Sequence, residues 1–275
     1  MGPVVLRMEG VGKRYGRGPV IIDGIELVAE PGLPVVIAGA NGSGKTTLLR
    51  IAAGATAPSW GRVTGRPGGV GYVPDRFPAH LRMPVGAYLR HMRRVRRAGG
   101  DASALLADLG FTADPGTPMN QLSKGNAQKV GLAQALAGGA ELLVLDEPWS
   151  GLDVDARPAL TSAVAAAAGG GAAVLVTDHT GIADALPRLR RMRLHEGELA
   201  ESGDAGARVV VALLCREPDV MAAELATHPA HDVTVAAGAV TLTVPSAHVD
   251  GLLRRALQLG CSVREVRPLA VGSRP

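Results

Sequence analysis

A glycine-rich loop that carries a lysine and two threonines follows a short apolar run near the start of the chain. Residues 39–47 read GANGSGKTT, and residues 39–46 match the phosphate-loop pattern G-x-x-x-x-G-K-[ST] in full. Glycines let such a loop turn tightly with its N–H groups aimed inward, into space that a Cβ would fill. Lys45 would bring charge to the β- and γ-phosphates of a nucleotide, and the Thr46 hydroxyl can bind Mg²⁺. The other predicted nucleotide contacts are Asn41, Gly42, Ser43, Gly44 and Thr47.

Two carboxylates follow another apolar run, about 100 residues after the loop. Leu142–Leu145 predicts a buried strand, and Asp146 and Glu147 come directly after it. Asp146 can hold Mg²⁺ directly or through water. Glu147 can orient an attacking water and act as its general base. An acidic pair after a strand is more often a polar strand end, but the phosphate loop upstream favours the catalytic interpretation.

The elements that must position these residues alternate between strands and helices. Val35–Ala38 predicts a strand before the glycine loop, and Leu48–Ala53 predicts a helix after it. A third strand, Val174–Thr177, ends in Asp178 and His179. Helical patterns lie between these strands, so we expect an α/β fold with a largely parallel sheet. A plain glycine turn before an ordinary helix is the alternative to a phosphate loop, and the flanking strand and helix argue against it.

The middle of the chain predicts helices and carries the positive charge. Between Trp60 and Gly100 nine arginines face one acid, Asp75, which gives this window +8; since the whole chain is +4, the rest is −4. One predicted helix opens at Pro84 with an apolar side of Val85, Tyr88, Leu89, Met92 and Val95 and an opposite side of Arg90, Arg93, Arg94, Arg96 and Arg97. That basic side could be a solvated face, or could contact anionic lipid headgroups or an acidic partner loop. Nucleic acid is not the expected partner, because no interleaved aromatics accompany the arginines.

With 47% apolar and 20% charged residues, the chain is ordinary for a globular protein. The uncharged run 158–177 is cut by three glycines, so no membrane-spanning helix is expected. The two cysteines suit a reducing compartment, where Cys215 and Cys261 would act as small apolar residues. Residues 204–275 predict the order βαββαβ of a ferredoxin-like unit, after a first domain of residues 1–203.

Over about Leu6 to Gly203 the sequence resembles the ATP-binding-cassette (ABC) ATPases, because several motifs stand in that family's order. They are Tyr15 in KRYG, the phosphate loop, residues 71–75 (GYVPD) at the place of the glutamine loop, residues 122–126 (LSKGN) at the place of the signature, Asp146 and Glu147, residues 150–153 (SGLD), and His179. The resemblance implies a P-loop NTPase fold with a helical subdomain at about 76–138, followed by the small α+β ferredoxin-like domain.

The resemblance also assigns roles to residues. Tyr15 would stack on adenine, and His179 would contact the γ-phosphate; with Glu147 and Asp75 it makes up the predicted catalytic group. Thr46, Asp146 and Asp75 would approach Mg²⁺. Ser123 and Gly125 of the signature would face the ATP bound by a second copy or a homologous nucleotide-binding domain, so that each site is shared by two chains.

Two positions depart from the family's pattern. Asp75 replaces the usual glutamine, which adds a negative charge and removes an N–H donor. In the signature, Lys124 and Asn126 replace glycine and glutamine, while Ser123 and Gly125 are retained.

The function that the resemblance implies is that of an ATPase subunit at the cytoplasmic face of the cell membrane. It would bind ATP and Mg²⁺ and energise a separate integral-membrane permease. A single cassette with an added C-terminal unit predicts the exporter branch. The alternative is a non-transport ABC ATPase that acts on nucleic acid or ribosomes. A phosphate-loop kinase or GTPase would have no use for the signature or for His179.

Overall fold

The computed structural model describes residues 5–96, 100–202, 208–225, 232–236, 238–245 and 249–268. The chain divides into two compact units, Met1–Glu201 and Ser202–Pro275. Among the described residues, no helix combines the length and the apolar character that a bilayer crossing needs.

The first unit is built around a six-stranded sheet in the order β5-β6-β7-β3-β8-β9. Its strands are β3 (Val35–Ala38), β5 (Val70–Val73), β6 (Leu142–Asp146), β7 (Ala173–Thr177), β8 (Arg190–His195) and β9 (Glu198–Glu201). Neighbours from β5 to β8 are parallel, and β9 is antiparallel to β8. The predicted α/β fold with a largely parallel sheet is confirmed.

The central strands are apolar throughout because both faces of the sheet are covered. In β6, Leu142 and Val144 join one buried cluster, whereas Leu143 and Leu145 join the cluster on the opposite face. Parallel strands buried on both sides show such continuous apolar runs. The apolar run ends at Asp146, the last residue of β6.

A second, antiparallel sheet in the order β2-β1-β4 covers one face of this core. It consists of β1 (Leu6–Arg14), β2 (Val20–Ala29) and β4 (Trp60–Thr64). These three strands were not predicted from the sequence. The pairing of β1 with both neighbours shifts register around Gly10 and Gly12, so the alternation that marks a strand is broken there.

The helices of the first unit are α1 (Lys45–Ala52), α2 (Val85–Arg96), α3 (Ala102–Asp108), α4 (Lys124–Leu136) and α5 (Ala156–Gly169). Helices α2 to α4 share a small core that includes Val85, Leu106 and Val130. Val95, on the predicted apolar side of α2, lies near the helix end and is 63% exposed. Arg97 lies outside the described residues.

The second unit contains β10 (Arg208–Leu214), α6 (Pro218–Leu225), β11 (Asp232–Ala236), β12 (Ala239–Pro245), α7 (Val249–Gln258) and β13 (Ser262–Pro268). The sheet order is β11-β12-β10-β13, and all neighbours are antiparallel. This alternation and strand order are those of a ferredoxin-like unit. Apolar residues of β10 and β12 pack against α6 and α7 in its own core.

The two cysteines are joined, which corrects their interpretation as separate thiols. Cys215 follows the end of β10, Cys261 precedes β13, and Leu214 pairs with Ser262 between these strands. The Cα atoms are therefore 4.5 Å apart, and the sulfurs form a disulfide. A separation of 46 residues carried no signal of this contact, because the strand pairing creates it.

Candidate nucleotide site

The glycine loop lies between β3 and α1, and its backbone requires glycine at two positions for different reasons. Gly44 has φ 102°, and a Cβ there would lie 2.6 Å from Cγ2 of Ile22. A Cβ on Gly39 would lie 2.5 Å from the carbonyl oxygen of Leu194. The loop is thus packed closely between β2 and β8, and a side chain would clash with the Ile22 side chain at Gly44 and with the Leu194 backbone at Gly39.

Lys45, the first residue of α1, places its side-chain nitrogen inside the loop. Its side chain is buried, and Nζ donates hydrogen bonds to the carbonyl oxygens of Gly39 at 2.7 Å and Ala40 at 3.0 Å. A buried ammonium needs such partners, because desolvation disfavours the charged form. The Lys45 Nζ atom therefore lies inside the loop that is expected to bind phosphate.

The other loop residues differ in exposure. Asn41, Gly42 and Thr46 are exposed, whereas Ser43 and Thr47 are half-buried. The Ser43 hydroxyl oxygen is buried and has no hydrogen-bond partner among the described residues. The free N–H groups at the start of α1 and the helix dipole favour an anion at this end of the helix.

Asp146 and Thr177 are paired at the ends of neighbouring parallel strands, β6 and β7. The Thr177 hydroxyl donates to Asp146 Oδ1 at 2.8 Å and accepts the backbone N–H of Glu147 at 2.8 Å. Both Asp146 and Thr177 are buried. One hydroxyl therefore holds the side chain of the first carboxylate and the main chain of the second.

Glu147 adopts a backbone conformation that is rare for its residue type, with φ 50°. Its Oε2 lies 2.5 Å from Nδ1 of His179 and accepts the His179 backbone N–H at 3.3 Å. Burial raises the pKa of the Glu147 carboxyl above its usual range, against the lowering effect of the hydrogen bond and charge of His179. The positive charge of Lys45 also lowers this pKa. A raised pKa suits a carboxylate that takes a proton from water near neutral pH.

Asp178 anchors the segment that follows His179. Its Oδ1 accepts the backbone N–H of Thr180 at 2.7 Å, and its Oδ2 accepts that of Ala183 at 2.7 Å. Asp178 is itself buried. These bonds fix the chain after β7, so that the half-exposed imidazole of His179 stays beside Glu147.

The carboxylate of Asp146 fits a divalent cation. Oδ1 is bonded to Thr177, but Oδ2 is buried and has no hydrogen-bond partner among the described residues. A buried carboxylate oxygen without a donor is costly unless a cation or a water binds it. Oxygen is also the ligand atom that Mg²⁺ prefers.

Asp75 and Tyr15 lie outside this hydrogen-bonded group. Asp75 is half-buried and follows β5, which pairs with β6 and so ends at the same edge of the sheet as Asp146. Tyr15 stands in the turn between β1 and β2, 47% exposed, with the Lys13 ammonium 4.9 Å from its ring centroid. An exposed ring in this position is free to stack on a planar ligand.

Ser123 and Gly125 lie at the start of α4, apart from the contacts of Lys45 and Glu147. Ser123 is the N-cap of α4, and its hydroxyl accepts the backbone N–H of Asn126 at 3.2 Å. A Cβ on Gly125 would lie 3.4 Å from the carbonyl oxygen of Gly151, which places the signature beside residues 150–153. The first turn of α4 thus has no phosphate loop of its own chain in hydrogen-bond contact.

Two further residues of the site, Thr177 and Asp178, and one buried lysine outside its hydrogen bonds, Lys129, were given no role from the sequence. Lys129 is buried in α4, and its Nζ donates to Asp153 Oδ2 at 2.7 Å and to the Gly110 carbonyl at 2.8 Å. Thr177 and Asp178 were assigned only to a strand and its end. The signal for Thr177 was available, since a threonine at the end of an apolar strand lies beside the end of the next parallel strand.

Comparison with known families finds that residues 22–150 match the family described as "ABC transporter". A relative from Pseudomonas entomophila (strain L48), "Zinc import ATP-binding protein ZnuC", is 35% identical over 167 residues, which is 60% of this chain and 64% of the relative. A protein of the same name from Roseobacter denitrificans is 41% identical over 152 residues, 53% of this chain and 57% of the relative. The chain therefore spans less than two thirds of the length of these relatives.

Solved structures share the fold of the first unit. "Structure of ATP binding subunit of ABC transporter" aligns with a TM-score of 0.64 at 21% identity and covers 73% of this chain and 91% of that one. A dimeric ATP-binding cassette in a post-hydrolysis state, bound to ADP and Pi, aligns with a TM-score of 0.60 at 23% identity and covers 71% and 98% of the two chains. At these identities the likeness is one of fold.

Proposed function

We propose that the first unit is an ABC transporter ATPase domain, and that the chain binds and hydrolyses MgATP as the ATPase subunit of a membrane transporter. The observation that carries the proposal is the contact between Glu147 and His179 at the end of β6, next to a phosphate loop whose lysine is buried. A half-buried base, a histidine that holds it and a phosphate cradle are the parts that ATP hydrolysis needs.

Each residue has one task in this reaction. The loop N–H groups and Lys45 bind the phosphates, and Tyr15 stacks on the adenine ring. Glu147 accepts a proton from the attacking water, while His179 orients the Glu147 carboxylate through its Nδ1 contact. Thr46 and Asp146 would hold Mg²⁺, with Asp75 near it. When bound, this ion neutralises charge on the phosphate oxygens.

The proposed assembly is a dimer, with a second copy or a homologous domain. Among the described residues, no hydrogen bond joins Ser123 or Gly125 to the phosphate loop of the same chain, and the helix dipole favours an anion, here that of another chain, at the start of α4. ATP bound between two chains would hold them together, and hydrolysis would release them. A transporter subunit of this kind would be held at the cytoplasmic face of the membrane by its permease.

For the direction of transport we propose import. The exporter branch, which the sequence analysis predicted, is not supported, because the relatives found are named zinc import ATP-binding proteins. Their names make zinc the first cargo to test. The permease would select the cargo, which is why no residue of this chain pointed to it.

The test has two stages. Purified wild-type chain should release phosphate from ATP in a Mg²⁺-dependent reaction, and Lys45→Ala should lose this activity. The chain and the permease that co-purifies with it would then be inserted in vesicles with the ATPase facing outward. Import predicts that zinc loaded inside leaves towards the ATP added outside, whereas accumulation inside indicates export. A chain without Mg²⁺-dependent turnover and without ATP binding would contradict the proposal.

A further inference from the structure

We propose that Thr177 is a positioning residue of the ATPase site, which sets the geometry of both carboxylates at the end of β6. The inference rests on the proposed function, and it adds a residue to the site that neither the motifs nor the comparisons assign. Its basis is the placement of one buried hydroxyl between Asp146 and Glu147.

The hydroxyl of Thr177 uses both of its hydrogen-bonding capacities on these neighbours. It has one proton to donate, and it donates it to Asp146 Oδ1 at 2.8 Å. It also accepts the backbone N–H of Glu147 at 2.8 Å. Thr177 is fully buried, so water cannot replace either bond.

The bond to Asp146 determines which oxygen remains for a cation. With Oδ1 held by the hydroxyl, the buried Oδ2 is the carboxylate oxygen that has no protein donor among the described residues. Side chains that hydrogen-bond to a metal-binding carboxylate orient it and tune its affinity for the metal. Loss of the hydroxyl would free the carboxylate to rotate.

The bond to Glu147 supports a conformation that the residue would otherwise avoid. A glutamate with φ 50° lies in the left-handed region, which is unfavourable for residues with a Cβ. The N–H of Glu147 donates to the Thr177 hydroxyl, which satisfies this donor at the residue where the backbone takes the left-handed conformation. The same strand end that orients the metal-binding carboxylate thus holds the general base against His179.

The test uses two variants of Thr177. Thr177→Val keeps the β-branched shape and removes the hydroxyl. Thr177→Ser retains the hydroxyl and can still be measured if the valine variant is unstable. ATP affinity is measured by calorimetry with and without Mg²⁺, together with the Mg²⁺ dependence of turnover. Thr161→Val is the matched control, since its hydroxyl accepts Trp149 Nε1 at 3.1 Å and has no contact with either carboxylate.

For Thr177→Val we expect Mg²⁺ to strengthen ATP binding about tenfold less than in the wild type, and turnover per folded molecule to fall by about tenfold or more. Metal-free ATP affinity should stay unchanged, and Thr177→Ser should recover the wild-type values. Thr161→Val should lose some thermal stability with no change in the effect of Mg²⁺.

Two results overturn the inference, and they differ in what else they affect. If wild type and Thr177→Val show the same gain from Mg²⁺ and the same turnover, Thr177 is only a structural residue and the proposed function stands. If the wild type binds no ATP with or without Mg²⁺, the proposed function fails, and the role of Thr177 fails with it.

Discussion

The Nδ1 atom of His179 lies 2.5 Å from Oε2 of Glu147, which is the carboxylate that follows the buried strand β6. The two residues belong to segments that end neighbouring parallel strands, so the contact depends on the register between β6 and β7. It gives the proposed base a fixed orientation and a hydrogen-bond partner.

Replacement of Glu147 by glutamine should abolish hydrolysis and preserve binding. The amide keeps the shape of the side chain but cannot accept the proton, so turnover should fall by about 10²-fold or more while ATP affinity is retained. We also expect the variant to accumulate as an ATP-bound dimer in size-exclusion chromatography.

Glu141→Gln is the matched control, because Glu141 is an exposed glutamate at the opposite end of β6. It should behave as the wild type. Near-normal turnover in Glu147→Gln would remove Glu147 from the role of base.

The pH below which turnover falls should lie above the usual pKa range of a glutamate side chain. Burial raises the pKa of Glu147, and protonation removes the base, so the acid limb of the pH–rate profile should follow this raised pKa. His179 lowers the pKa of Glu147, so His179→Ala should move the limb to higher pH. An acid limb at the same pH in both proteins would show that the pair does not control the reaction.

The same pKa has a consequence for stability. A carboxyl whose pKa is higher in the folded than in the unfolded chain stabilises the fold most below its unfolded pKa, and this contribution is lost as the pH rises through the folded pKa. Glu147→Gln should therefore melt at a higher temperature than the wild type at neutral pH. The difference should disappear in acid, which thermal unfolding at several pH values would measure. A constant difference across that range would contradict the burial argument.

Much of this site could be predicted from residue order, and the reasons are physical. The phosphate loop is contiguous in sequence and Asp146 ends an apolar run, so type and spacing identify them. By contrast, the Cys215–Cys261 disulfide and the Lys129–Asp153 pair join residues far apart in the chain. Strand β1 was missed because its register shifts break the alternation pattern. The raised pKa and the hydrogen bonds of Glu147 could not be predicted from the sequence, because they depend on burial and on residues at the end of the neighbouring strand β7.

Asp75→Gln tests the position where the chain departs from the family's pattern. If Asp75 lies near the bound phosphates, its charge opposes ATP unless a cation is present. The variant should bind metal-free ATP more tightly, and the gap between metal-free and Mg²⁺-bound affinities should narrow. Calorimetric titration of both proteins, with and without Mg²⁺, measures this.

Asp108→Asn serves as the control for Asp75→Gln, because Asp108 is an exposed acid at the end of α3. Asp108→Asn also removes one negative charge, and we expect it to leave the ATP affinity unchanged with and without Mg²⁺. If wild type and Asp75→Gln have equal affinities in both conditions, Asp75 is a turn residue between Val73 and Pro78 and has no part in binding.

Turnover by mixed chains tests the central claim, a shared ATPase site, most directly. Lys45→Ala destroys the phosphate loop of one chain, and Ser123→Arg blocks the signature of another, so each homodimer has no working site. A mixed dimer would have one intact site, formed by the Lys45 of one chain and the Ser123 of its partner. With an equal mixture, half of the dimers are mixed, and the expected turnover is about one quarter of the wild-type value. Turnover no greater than that of the separate variants, in a sample where pull-down of differently tagged chains shows mixed dimers, would contradict the account.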